Sequence, residues 1–104
     1  MPYPVIYLAQ SRTTDGTLTA VKYEGTLETA DVYFAGTFNG ASVMLQSSPV
    51  NDGSAAGYVN IMDEAITANI VKRMQIGQDT NLRAVISSAG ASTSLTIFVR
   101  YYKD

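Results

Sequence analysis

The chain has 104 residues, 46% of them hydrophobic and 15% charged, with a formal net charge of −2; this supports one folded domain around one core rather than a disordered chain. Cysteine and histidine are both absent, which excludes disulfides, thiolate zinc sites and thiol nucleophiles. The seven basic residues are scattered, with Lys72-Arg73 the only adjacent pair, so the clustered Lys and Arg on which nucleic-acid binding rests are missing.

Met1-Pro2-Tyr3-Pro4 opens the chain with no basic stretch ahead of an apolar one. No apolar run approaches the roughly 20 residues that cross a bilayer, and the expectation is a soluble, unprocessed protein with no membrane partner. Pro2 and Pro4 lack amide donors, so the apolar stretch from Val5 to Ala9 suits an arm or an edge strand better than a central one. Residues 1–16, ending in the turn signal Asp15-Gly16, are read as an N-terminal arm and edge segment, and residues 17–104 as a β-sandwich domain.

From Thr17 onward, short β-branched and aromatic segments alternate with Gly, Asn, Asp and Ser punctuation, the spacing of an all-β, antiparallel sandwich. Strands are predicted at 5–9, 17–23, 30–38, 41–48, 57–62, 66–76, 81–87 and 93–102. Asn39-Gly40, between Val32–Phe38 and Ala41–Gln46, favours a type I′ hairpin because both residues reach positive φ cheaply. In that register Phe34 and Phe38 share a core face, as do Val43 and Leu45. A second hairpin is predicted between Leu82–Ile86 and Leu95–Val99 across the small, polar stretch Ser87–Ser94. In it Leu82, Ala84 and Ile86 share a face, as do Leu95, Ile97 and Val99, which fits paired strands covering one side of a sandwich. Between Asp63 and Gln78 two readings stand: a helix with Ile66, Ile70 and Met74 spaced by four and Asp63 as cap, or two short strands around Asn69. The second is preferred because Thr67, Ile70, Val71 and Ile76 are β-branched.

Little in the chain carries chemistry. Without His or Cys, acid-base or nucleophilic catalysis would need paired carboxylates or a Ser-Lys or Thr arrangement. The only adjacent acidic pair, Asp63-Glu64, would point to opposite faces of a strand. Asn51-Asp52-Gly53-Ser54 is oxygen-rich but lacks the repeated ligand positions and terminal Glu of a calcium loop, and reads as a turn. The expectation is a non-enzymatic domain with no cofactor and no metal. The aromatic residues are seven Tyr and three Phe. Phe34, Phe38 and Phe98 are assigned to the core, whereas Tyr3, Val5, Tyr7, Tyr101 and Tyr102 lie near the chain ends and are the candidate contacts with a partner or a second copy, since an apolar body with a polar tip suits an interface.

The run Phe34-Ala35-Gly36-Thr37-Phe38-Asn39-Gly40-Ala41-Ser42-Val43-Met44-Leu45-Gln46-Ser47-Ser48-Pro49, followed by Asp52-Gly53, resembles a pattern recurrent in small virion proteins of tailed bacteriophages. Their pattern is an aromatic-Gly-Thr-aromatic strand, a Gly turn, a Val-x-Leu-Gln strand and a Ser-Pro-x-Asp-Gly loop. Ala65-Ile66-Thr67-Ala68, Asn81-Leu82-Arg83 and Thr93-Ser94-Leu95 resemble its second half, so the likeness spans residues 30–99. Where that family commonly has a Trp after the Asp-Gly loop, this chain has Tyr58. The resemblance implies a single β-sandwich or jelly-roll-like domain on the outside of the phage head, a decoration (cement) protein or the base of a head fibre. It further implies synthesis in the host cytoplasm, the major capsid protein as partner and a homotrimer as the working form. The alternative expectation is a carbohydrate- or receptor-binding module of a tail or head fibre.

Overall fold

A computed structural model describes residues 3–27, 29–49, 57–77 and 80–104. Among the described residues nine strands follow in chain order: β1 (Val5–Arg12), β2 (Gly16–Thr17), β3 (Val21–Tyr23), β4 (Thr29–Thr37), β5 (Ser42–Ser48), β6 (Val59–Asn60), β7 (Ile70–Gln75), β8 (Thr80–Ser87) and β9 (Ser94–Arg100). They form two antiparallel sheets, one in the order β1-β9-β4-β7, the other in the order β2-β8-β5-β6 with β3 also on β8. Because β2 and β3 pair with successive stretches of the same strand, they share one position, and the predicted single strand over 17–23 is interrupted between them. The antiparallel β-sandwich expected from the alternation is therefore the observed architecture. Its partners are remote in sequence, β1 with β9, β4 with β9 and β5 with β8, and this wrapped order over two sheets is jelly-roll topology.

The core lies between the sheets. Successive side chains on a strand point to opposite faces, and the inward set is Ala30, Val32 and Phe34 on β4, Val43 and Leu45 on β5, Leu82, Ala84 and Ile86 on β8, and Leu95, Ile97 and Val99 on β9, all buried together with Phe38. The predicted inward faces are thus found as read.

The two predicted hairpins are not. Asn39 and Gly40 do take positive φ (46° and 89°), and Ala41 N–H donates to Phe38 O at 2.9 Å, as a type I′ turn requires. The turn nevertheless carries the chain from one sheet to the other. Both edges of β4 are taken by β9 and β7, and both edges of β8 by β5 and by β2 with β3, so neither strand has an edge for its successor. β4 and β9 lie in one sheet and β5 and β8 in the other, so each predicted pair is split between the two sheets. The two sheet-to-sheet corners are tied by buried Thr93, whose hydroxyl donates to Phe38 O and accepts from Gly90 N–H, both at 2.8 Å.

Residues 63–77 contain no helix. Ile66 makes a two-way backbone bridge with Val43 and β7 begins at Ile70, so strand pairing occurs on both sides of Asn69, whose Oδ1 accepts from Gly36 N–H at 2.8 Å. The oxygen-rich loop Asn51–Ser54 lies outside the described residues.

Tyr23 is fully covered, its ring packed 5.2 Å from that of Tyr101 and its hydroxyl donating to Leu27 O at 2.8 Å. Burial, with a smaller contribution from neighbouring Tyr101, raises its pKa above the ordinary 10.0. A folded-state pKa above the unfolded one means that the associated stability is fully present below pH 10 and is lost as pH rises through the folded value. The expected result is a fall in denaturant midpoint above pH 10 that is shallower in Tyr23→Phe than in the native chain. Parallel curves for the two proteins would show that Tyr23 contributes nothing to that loss.

Candidate functional site: the outer face of one sheet

The outer faces of the two sheets differ in chemistry. On β5 and β8 the outward residues include Gln46 and Arg83, directly paired. Arg83 Nε donates to Gln46 Oε1 at 2.8 Å, Gln46 Nε2 donates to Asn60 Oδ1 at 3.1 Å, and the Arg83 guanidinium lies 3.8 Å from the centroid of the Tyr58 ring. These polar groups largely satisfy one another.

The opposite outer face carries an aromatic row. Register places Tyr7 beside Phe98, Phe98 beside Tyr33 and Tyr33 beside Val71, one residue from each of β1, β9, β4 and β7. The Tyr33 and Phe98 rings stack at 4.6 Å with 7° between their planes, and Tyr7 lies 5.6 Å from Phe98. Tyr7 and Val71 are about half exposed, at 48% and 52%. Such pairs stabilise the sheet by about 0.5–1.5 kcal/mol beyond area burial, yet the row still presents apolar surface to solvent from one sheet edge to the other.

The next row toward the chain ends is Val5, Arg100, Asp31 and Arg73. Arg73 Nε donates to Asp31 Oδ1 at 3.0 Å, and that hydrogen bond and charge raise the Arg73 pKa and keep its guanidinium ionised. The Arg100 guanidinium sits 4.5 Å from the centre of the Tyr3 ring, and Tyr3 meets the Tyr102 ring edge-on at 5.6 Å. Tyr3, Asp31, Arg73, Arg100, Tyr101 and Tyr102, together with Leu27, border an open cleft of about 250 Å³.

Of the candidate contacts named from sequence, Tyr3, Val5 and Tyr7 are exposed on or beside this face and Tyr102 is half-buried against Tyr3. Tyr101 is turned inward, 6% exposed and packed on Tyr23, so most of it belongs to the core, and what remains exposed lines the cleft. Phe98, assigned above to the core, lies on the outer face. Phe98, Tyr33 and Val71 are the surface residues that the sequence reading missed, and the signal for the first two was present: each is out of step with the buried alternation of its strand, Ile97 and Val99 flanking Phe98, Val32 and Phe34 flanking Tyr33.

No protein-family model, curated protein or solved structure matches the chain. Fold and surface define a jelly-roll β-sandwich with an aromatic row across the outer face of one sheet.

Proposed function

We propose that the chain is a structural virion protein that decorates and stabilises a tailed-phage capsid, binding the outer surface of the major capsid protein through the aromatic face of the β1-β9-β4-β7 sheet, as a homotrimer. The observation that carries this reading is the row Tyr7, Phe98, Tyr33 and Val71, spanning all four strands of one sheet. Contiguous exposed apolar surface marks an interaction site. The likeness over residues 30–99 to phage virion proteins supports the same reading.

The mechanism is linkage. A protein that binds assembled shell better than free subunits shifts the equilibrium toward the shell by its differential affinity. Each copy straddling neighbouring capsid subunits resists the outward load of packaged DNA, and a cyclic trimer matches the three-fold positions of a capsid lattice, where linked contacts raise avidity. Among the described residues no strand pairs with the outer edges of β1 and β7; natural proteins cover such edges, and trimer contacts would do so.

The test is quantitative mass spectrometry on purified particles of the phage that carries the gene, with sedimentation of the isolated chain beside it. The expected result is a fixed, lattice-scale ratio of this chain to the major capsid protein, and a trimer in solution. Absence of the chain from clean particles would end the reading, and a monomer at micromolar concentration would remove the trimer from it.

A further inference from the structure

The cleft bordered by Tyr3, Arg100, Asp31, Arg73 and Tyr102 has a composition that shell attachment does not call for. Its three charged side chains are two guanidiniums and one carboxylate, and the carboxylate is engaged by Arg73. The Arg100 guanidinium carbon lies over the Tyr3 ring, 4.5 Å from its centroid, and among the described residues no carboxylate forms a salt bridge with it. A guanidinium fixed in this way presents a planar fork of N–H donors suited to a carboxylate. Beside that fork stand apolar surfaces of Tyr3 and Tyr102, and the Asp31 carboxylate, the Thr29 hydroxyl and the Arg73 donors also line the space. The cleft of about 250 Å³ is smaller than the roughly 300–1,000 Å³ of pockets for drug-sized ligands, so it accommodates a single ring.

We infer that this cleft is a binding site for one residue of an acidic polysaccharide, a uronic-acid type of sugar. Its carboxylate pairs with Arg100, a C–H face of its ring packs on tyrosine, and its hydroxyls meet the mixed donors and acceptors of Asp31, Arg73 and Thr29. The presence of Asp31 favours a sugar over an acidic peptide: a carboxylate acceptor in the cleft finds hydroxyl donors on a sugar ring and none on an ionised glutamate side chain. A net charge of one positive among the three ionised groups matches one negative charge per ring. The inference concerns the free chain and does not rest on shell attachment.

The experiment titrates the full chain, labelled for amide NMR, with trigalacturonate, with its neutral methyl ester and with hexaglutamate. The expected result is shifts at Tyr3, Asp31, Arg100 and Tyr102 on adding trigalacturonate, weakened by added salt. Binding of the ester should be about tenfold weaker, as for loss of one charge-assisted hydrogen-bonded pair. Arg100→Gln should show a similar loss with the amide spectrum otherwise retained, and Arg100→Lys, which keeps the charge without the fork, should fall between. Equal binding of acid and ester, an undiminished affinity in both Arg100 variants, or shifts confined to another face would overturn the assignment. Hexaglutamate binding as tightly as trigalacturonate would also overturn it, by giving the cleft to a peptide.

Discussion

Phe34→Ala is expected to destabilise the domain by about 3–5 kcal/mol, the range for truncating a fully buried aromatic residue. Phe34 is 1% exposed and sits on β4, hydrogen-bonded on both sides, by β9 and β7. Its ring belongs to the layer where the inward residues of the two sheets meet, so no single neighbour can move in to fill the space without breaking a ladder. Domains of this size have a total stability of about 5–15 kcal/mol, so the variant should lie close to its unfolding threshold at ordinary temperature. Urea denaturation reads this directly, as a lower midpoint at unchanged slope. A loss below about 1 kcal/mol would mean that the ring is not enclosed as described.

Gly36→Ala should be nearly as damaging although it adds only a methyl group. Gly36 adopts a φ of 122° within β4, in register with Leu95. An added Cβ would run into the carbonyl oxygen of Ser94, a backbone atom of the paired strand that cannot swing aside as a side-chain tip would. Strain from the dihedral and from the contact together should cost about 2–4 kcal/mol, and relief would require β4 and β9 to part at this end. The corresponding loss of amide protection should be concentrated at Gly36 and Leu95. A variant as stable as the native chain would show that the backbone reaches an ordinary strand conformation there at no cost.

The core was legible because its signal is local: period-2 alternation in Leu82-Arg83-Ala84-Val85-Ile86 and Leu95-Thr96-Ile97-Phe98-Val99 identifies which residues go inward, whatever each strand pairs with. Partner choice was not legible for the same reason. Alternation names a face and says nothing about the edge, and an Asn-Gly turn of type I′ fits a sheet-to-sheet corner as well as a hairpin. What decides between them is that β7, β9 and β5 occupy the edges that the simple hairpins would have used, and those are pairings between distant segments. The same division holds at the surface. Tyr3, Val5 and Tyr7 could be named from their place near a chain end. Tyr101 differs from them because the inward alternation of Leu95, Ile97 and Val99 continues one step beyond the last residue of β9 and carries most of its ring into the core. The pairing of Asp31 with Arg73, 42 residues apart, and the approach of Arg100 to Tyr3 depend on sheet register, which no local pattern contains.

Attachment to a shell through the aromatic outer face, as proposed above, is read by co-sedimentation with phage heads stripped of the protein. Tyr7→Ser with Phe98→Ser removes two rings from that face without touching the buried residues of β1 or β9, so its circular dichroism should match that of the native chain. Native protein is expected to saturate the heads at a fixed ratio to the capsid protein, whereas the double variant should bind about a hundredfold more weakly, as for loss of two interface aromatics. Full occupancy of the heads by the folded double variant at the same concentrations would contradict the claim.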